Sequence, residues 1–404
     1  MVGAGLAGLA AGRTLVDAGW DVTVVEARER VGGRVWSVRL DNGEIAEMGA
    51  EWIMPGDAQV RAWADRFGVG LAEAGIDYLR RETRGPGASS LGDQDAFLAT
   101  AEAALARIPA DESAGLSLGT FLDALDAPGA GRDAVRMRLQ GTNATDLGRV
   151  ALRVAAGSDA FAAPRATYHR VARGNQALPD AIASSLPDVR LGHRVRSVFH
   201  DHAGVVVGVE GDVELTGIAA IVALPARVAA GVRFDPSLPD EIASALLELP
   251  MGVASKLAVP IEGASGPRAI QSAELPFWCW VANGVGGSVR RCLSAFAGSE
   301  LAQDVLATGA GETDPWLERL AALNPDLTPS GTPVLKAWAL DPLAMGAYSA
   351  WDNRSWDRME QFHRTVGRLA FAGEHTAGTE HVGTMEGALR SGARAAIQLL
   401  EILG

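Results

Sequence analysis

Lysine is almost missing from this 404-residue chain: of 36 basic residues only Lys256 and Lys336 are lysine, and the rest are arginine. Cysteine is as scarce, with Cys279 and Cys292 the whole complement. Two thiols cannot build a disulfide framework, and they lack metal-ligand spacing, so they read as buried thiols of a cytoplasmic protein. Long apolar runs are also absent. The longest uncharged stretch, Leu275 to Val289, is broken by Asn283 and three glycines, and it falls short of the roughly 18 residues of a membrane-spanning helix. The apolar opening lacks the basic start of a secretory leader. Positive charge is in deficit, with a net charge of −13, which argues against nucleic acid because that partner demands a basic face. The same excess mildly favours cationic small molecules and otherwise serves solubility.

What is plentiful is glycine and apolar surface. Hydrophobic residues make up 48% and charged residues 21%, a globular composition that excludes general disorder. The length exceeds the usual limit of about 250–300 residues for one core, so two domains are expected. The sparing use of lysine carries its own message. A chain that writes nearly every cation as arginine keeps a lysine where a compact ammonium, able to lose its proton when buried, is required.

The opening "MVGAGLAGLAAGRTLVDAG" contains G-x-G-x-x-G at Gly3, Gly5 and Gly8. That spacing makes a strand-to-helix turn, brings backbone close to a pyrophosphate and lets helix pack on sheet, with an anion at the helix N-terminus. "GWDVTVVEA" then reads as a buried strand through Val22, Val24 and Val25 ending in Glu26, near the roughly 20-residue offset of the acid that grips a ribose hydroxyl. Only Met1 and Val2 precede the glycines, where a strand usually has about five or six residues. The expectation is a start lying further upstream, because two residues leave neighbouring strands short of ladder partners.

A second glycine turn follows at Gly32-Gly33-Arg34, and Asp41-Asn42-Gly43 signals a hairpin. From about residue 55 to 157 the text is alanine-rich and helical in period, as in "DAFLATAEAALARI" and "GLSLGTFLDAL". Strand patterns return from "VRLGHRVRSV" to "IAAIVALP", then in "GVASKLAVPI", "PFWCWVANGV" and "RRCLSAFAG". His200 and His202 flank an aspartate, but without a third ligand they read as solvent-facing turn residues, and no metal site is expected. The chain closes on a short strand in "GRLAFAGEHT" and a helix in "GTMEGALRSGARAAIQLLEIL". A strand and glycine turn at each end point to one nucleotide domain with the middle inserted into it.

Six segments in order, "GAGLAGLAAGRTL", "VVEARERVGGRV", "MGAEWI", "ASKLAV", "DPLAMGAYS" and "FAGEHTAGTEHVGTMEGALRSGARAA", resemble the flavin-containing amine oxidases, the group of monoamine and polyamine oxidases, over nearly the whole chain. The resemblance implies an α/β fold: a Rossmann-like FAD domain (residues 1–57, 169–250 and 346–404) interleaved with a mixed α+β substrate domain (58–168 and 251–345). It places Glu26 on the adenosine ribose, with Ala27 and Arg28 beside it and Val195 against the adenine. Gly3, Gly5, Gly8, Gly33 and Arg34 fall near the pyrophosphate. Gly49, Ala50, Glu51, Trp52, Gly373, Glu374, Met385 and Ala388 would line the remaining length of FAD, Glu374 near the ribityl chain.

The same resemblance makes Lys256 the lysine that holds a water against the flavin and is linked to reoxidation by oxygen. Tyr348 becomes one wall of an aromatic sandwich around the amine, suited to cation–π attraction and stacking. Here the sequence departs from the family. Gly383-Thr384-Met385 carries threonine where monoamine oxidases carry the second tyrosine, which leaves Trp280, Trp338 or Trp351 as compensating aromatics. Ala347 stands where they carry the cysteine that links the flavin covalently, so noncovalent FAD is expected.

The expected reaction is oxidation of a primary or secondary amine with oxygen reduced to hydrogen peroxide. The oligomeric state stays open, a homodimer included. Three alternatives stand beside it: an L-amino-acid oxidase, with Arg80, Arg81 or Arg84 pairing the carboxylate; a flavin desaturase or isomerase; and a non-catalytic nucleotide-binding protein, raised by the short first strand. The Ala347 reading has a direct check: acid precipitation of the yellow protein leaves the flavin in the supernatant, and flavin in the pellet refutes it.

Overall fold

The computed structural model describes residues 1–127, 129–156, 161 and 167–404; the far end of the helical stretch, expected near residue 157, lies outside them. A parallel sheet forms where the glycine turn enters. Thr23–Val25 pairs in parallel with Asp188–Arg190, and Ala220–Val222 with Leu369–Phe371. Val2 stands between the two pairs, bridging Val25 on one side and Val222 on the other. The two residues ahead of Gly3 make a full set of ladder bonds. Met1 N donates to Thr23 O at 2.7 Å, and Val25 N donates back to Met1 O at 2.9 Å. Val2 N donates to Ile221 O at 2.9 Å, and Ala223 N to Val2 O at 2.8 Å. The expected loss of ladder partners is therefore absent, because the neighbouring strands are only three residues long and two residues satisfy their facing groups.

The first helix, Leu6–Asp17, is buried all along Leu6 to Gly12, as a helix covered on several sides must be. It lies against the sheet and the last helix, Met385–Leu403, where Ala7 and Ala11 share a core with Ala395, Ala396 and Leu399 and two glycines let backbone approach closely. A Cβ on Gly8 would stand 1.9 Å from Gly3 O, and one on Gly392 would stand 2.2 Å from Ala7 O. Backbone packs on backbone there, and the small residues of "LAGLAAG" are what permit it.

The hairpin around Asp41-Asn42-Gly43 forms as Ser37–Arg39 against Ile45–Glu47. A second, larger sheet runs in the order Thr328–Pro329, Ala254–Glu262, Cys292–Gly298, Phe277–Val281, Arg268–Ser272 and Glu82–Arg84, with Val334–Ala337 also on Ala254–Glu262. Its central strands read as near-continuous apolar runs because both faces are covered. The helices Leu91–Leu105, Leu118–Asp123 and Ala130–Asn143 gather their own core around Phe97, Phe121 and Leu139. A further sheet orders Val213–Gly217, Val205–Val209, Val195–His200 and Arg233–Asp235.

Two details of the sequence reading are settled here. His200 is not a solvent-facing turn residue: it is buried, and its Nε2 lies 2.9 Å from Pro236 O; the inward pleat of Val195–His200 carries it to the core. His202 is exposed. Both cysteines are buried and free, and burial pushes the Cys279 thiol up to about 12.

The helix contact predicts opposite outcomes for two similar substitutions. Gly8→Ala forces a carbon onto a carbonyl oxygen and lowers unfolding free energy by about 1–3 kcal/mol or more. Gly12→Ala, whose Cβ meets only ordinary contacts at 3.5 Å, is neutral or stabilising by up to about 1 kcal/mol. Urea denaturation of both variants measures the contrast.

Candidate active site

A single cavity of about 1140 Å3 is shared by the loops at the parallel sheet and the inner face of the larger sheet, above the roughly 300–1,000 Å3 of a drug-sized site. It is lined by Gly3, Gly5, Glu26, Ala27, Arg28, Gly33, Arg34, Gly49, Ala50, Glu51, Trp52 and Val195, and by Lys256, Tyr348, Gly373, Glu374, Thr384, Met385 and Ala388. Of the residues assigned from sequence to FAD or to the amine, Gly8 alone is not on its wall. The reason is its contact with Gly3, described above.

At the glycine end the helix Leu6–Asp17 begins at Gly5 with no side-chain cap. Its first amides and the positive end of its dipole are left to whatever fills the cavity. A Cβ on Gly5 would meet nothing within 4 Å, so this glycine borders open space. Glu26 is fixed by the same loop: one oxygen accepts from Ala4 N and the other from Arg28 N, each at 2.9 Å. Arg28 turns its charge onto Asp341 at 2.8 Å, and Asp341 also takes Lys336. The second lysine therefore serves an ion-pair network of three charges.

Arg34 and Glu374, taken from opposite ends of the sequence, form a direct ion pair at 2.8 Å. Glu374 also accepts from Ser349 Oγ at 2.6 Å, Ser349 N at 3.1 Å and Gly383 N at 2.8 Å. Burial alone would push its carboxyl up, but Arg34, His375 and Ser349 outweigh that and hold it below the usual range.

At the other end the strand leaving Glu47 delivers Gly49, Ala50, Glu51 and Trp52 to the wall. Lys256 Nζ donates to Glu51 Oε2 at 2.7 Å and to Gly49 O at 3.1 Å, which uses two of its three protons. Glu51 also accepts from Trp280 Nε1 at 3.0 Å, and Arg170 stands 3.6 Å away. Burial opposes the ionised carboxyl of Glu51; Lys256 and Arg170 reverse that and lower its pKa. Asn175 ties the segment down by donating to the carbonyls of Ala50 and Glu51, both at 2.9 Å.

Tyr348 is half-buried, and its hydroxyl donates to Thr142 O at 2.6 Å; loss of solvent, with Tyr78 nearby, holds the phenol well above its ordinary value. Gly383 packs on that ring, since its Cβ position lies 3.6 Å from Tyr348 Cδ2. Thr384 caps the last helix: its hydroxyl accepts from Gly387 N at 2.9 Å and donates to His381 O at 2.6 Å. Trp280, Trp338 and Trp351 all reach the wall, with indole N–H groups on Glu51, Met48 O and Ser349 Oγ.

The sequence reading missed Tyr78, Arg138, Tyr168, Trp278 and Phe296, which also line the cavity. The alternation in "FWCW" was a usable signal, since Trp278 and Trp280 share one face of a strand. None existed for Arg138 inside a helical, alanine-rich stretch. The arginines named for a carboxylate are elsewhere engaged and none lines the cavity. Arg80 is held by Asp95, Arg84 by Glu82 and Leu323 O, and Arg81 lies on Tyr78 and Trp278.

A helix N-terminus over a glycine loop, an acid at the end of the next strand and a lysine on the opposing sheet define a dinucleotide-dependent oxidoreductase site. The chain belongs to the flavin containing amine oxidoreductase family, whose match spans residues 6–400. It is 27% identical to polyamine oxidase 4 of Oryza sativa subsp. japonica, over 98% of this chain and 87% of that one. It is also 27% identical to an L-amino-acid oxidase of Siganus canaliculatus, over 99% and 84%. Putrescine-bound putrescine oxidase shares the fold at a TM-score of 0.83 and 22% identity, with 99% of this chain and 98% of that one covered. Cyclohexylamine oxidase from Brevibacterium oxydans IH-35A does so at 0.79 and 20%, with coverage of 100% and 98%. The expected class of fold and the flavin-dependent amine chemistry are thereby borne out.

The floor of this site has a pH signature. Glu47, buried beside Glu51, accepts from Ser37 Oγ at 2.6 Å and Asn175 N at 2.9 Å, and burial raises its carboxyl from 4.5 to about 7. A folded-state pKa above the unfolded one means stability fully present below pH 4.5 and lost as pH rises to about 7. Glu47→Gln removes that loss, of the order of 3 kcal/mol at most. Chemical denaturation at pH 4.5 and pH 8 measures it.

Proposed function

We propose that this protein holds FAD noncovalently and oxidises a primary or secondary amine to an imine, released by water as a carbonyl compound, with oxygen reduced to hydrogen peroxide. Residues 1–57, 169–250 and 346–404 serve the cofactor in this reading, and 58–168 and 251–345 the substrate. The observation that carries it is the Lys256–Glu51 pair set in the wall of a cavity that begins at an uncapped helix N-terminus.

The residues present fit FAD. Gly5 borders open space at a helix N-terminus suited to a pyrophosphate, and Glu26 is fixed where a ribose hydroxyl needs an acceptor. Ala347 offers no sulfur for a covalent link. FAD, when bound, takes the hydrogen and two electrons from the amine's α-carbon and passes the electrons to oxygen.

The protein's own part is placement and charge. Tyr348, fixed by its bond to Thr142 O, presents its ring to the amine, with Gly383 and the Thr384 turn packed beside it. The amine nitrogen binds neutral in this reading, since the buried carboxylates among the described wall residues, Glu26, Glu51, Asp57 and Glu374, are all engaged. Lys256, clamped by Glu51 and Gly49 O, keeps a positive charge and one donor at the wall where oxygen gains electrons. Arg34 and Glu374 neutralise each other between the two halves.

The test is the visible spectrum of purified protein followed by stopped-flow work on the holoenzyme. Wild type is yellow, bleaches anaerobically with phenethylamine faster than with L-phenylalanine, and regains colour with oxygen. Lys256→Met keeps the anaerobic bleaching and slows the return of colour by about tenfold or more; an unchanged return removes the role given to Lys256. That variant strands Glu51, so a stability loss of about 3–5 kcal/mol accompanies it, and Lys256→Met with Glu51→Gln recovers much of the loss.

A further inference from the structure

We infer that Asn175 is the positioning residue of Lys256: acting through the backbone of residues 49–51, it sets where the ammonium stands on the cavity wall. The inference rests on the role given to Lys256 above and deepens it.

The strand Ala254–Glu262 fixes the backbone of Lys256, which pairs with Phe296 on one side and Lys336 on the other. It does not fix the ammonium. A flexible aliphatic stem separates Nζ from that backbone, so its place is decided by the groups that accept its protons. Those acceptors, Gly49 O at 3.1 Å and Glu51 Oε2 at 2.7 Å, both belong to one short stretch of chain from another part of the wall. Whatever holds residues 49–51 therefore aims Lys256.

The strand Ile45–Glu47 ends just before this stretch. Beyond it Met48 N donates to Trp36 O at 2.8 Å and Ala50 N to Arg34 O at 3.1 Å, and further on Ile53 N donates to His169 O at 2.8 Å. In the gap the carbonyls of Ala50 and Glu51 are met by a side chain. Asn175 Nδ2 donates to each of them, both at 2.9 Å. Its Oδ1 accepts from Val171 N at 2.8 Å, and its own N donates to Glu47 Oε1 at 2.9 Å. Asparagine suits this place by its chemistry, with two donors on one nitrogen and an acceptor beside them. The residue is fully buried.

The seat of Asn175 is itself built. Gly174, at φ 92°, turns the chain after the strand His169–Val171, and its N donates to Val171 O at 3.0 Å. A Cβ there would stand 2.8 Å from both Ser37 Oγ and Ile45 Cγ2, so the turn lies flush on the hairpin. Asn175 thus joins the hairpin, through Glu47, to the turn, through Val171, and to the cavity wall, through Ala50 and Glu51. Without its amide two buried carbonyls lose their donor, and the stretch that shifts to satisfy them carries both acceptors of Lys256 with it.

The chain's two lysines make the test direct. Holoenzyme grown on lysine carrying carbon-13 at Cε gives one signal from Lys256 and one from Lys336, assigned with Lys256→Met. Lys336, held by Asp341, is the internal reference. Asn175→Asp keeps the size and the acceptor for Val171 N but has no donor when ionised, and Asn175→Ser keeps one donor on a shorter stem. Expected in Asn175→Asp is a displaced Lys256 signal with that of Lys336 in place. After photochemical reduction the return of colour with oxygen slows about tenfold, while anaerobic bleaching by phenethylamine stays within about twofold of wild type. Asn175→Ser shows the same split, less strongly. Leu320→Ala, a core truncation off the cavity wall, separates placement from stability, since it leaves both lysine signals and the return of colour as in wild type. Should Asn175→Asp fail to fold, Asn175→Ser decides alone. A Lys256 signal that stays in place in the folded variants, or a return of colour no slower than wild type, overturns the inference. A holoenzyme that no amine bleaches defeats the functional reading instead; the lysine signals and photochemical reduction need no amine and still decide the part of Asn175.

Discussion

Everything in this molecule hangs on backbone lying against backbone at the start of the first helix. Gly8 over Gly3 O and Gly392 over Ala7 O leave no room for a single carbon between the elements. Just ahead of that contact, Val2 bridges Val25 on one side and Val222 on the other. The same contact points an uncapped helix N-terminus into the cavity. Fold and cofactor end are thus one constraint, and a methyl group in the wrong place disturbs both.

Buried charges along the cavity are paired. Toward the glycine loop, carboxylates and arginines meet in matched pairs, Arg28 with Asp341 and Arg34 with Glu374. Such buried charges survive because each has its partner and its hydrogen bonds. Across the cavity Glu51 answers Lys256 and Arg170, and behind that wall the Arg81 guanidinium lies over the rings of Tyr78 and Trp278. The overall charge of −13 therefore says little about the substrate. Charge on the exterior is screened within about 10 Å at ordinary salt, whereas the groups inside act over a few ångströms in a poorly polarisable surround.

Much of the architecture was legible because it depends on local rules. The glycine spacing, the apolar run of Val22, Val24 and Val25, the hairpin glycine and the helical period of the last 20 or so residues are all read within one segment. The scarcity of lysine was informative for the same reason, and its two survivors turned out to be cross-strand partners, Lys256 opposite Lys336. His200 went the other way. Its burial depends on the neighbour Arg233–Asp235 and on Pro236, which its own flanking sequence does not announce.

Sequence by itself determined the glycine loop, Glu26, the family and the presence of Lys256 and Tyr348, because each is a residue type at a spacing that its chemistry requires. Only the tertiary structure decided what those residues touch. Glu51 became the clamp of Lys256 across 205 positions, Thr384 became a helix cap, and Arg138 came to the cavity wall while Arg80, Arg81 and Arg84 did not. Contacts between distant segments are set by how sheets and helices pack, and a one-dimensional pattern carries no record of which side chain will face which.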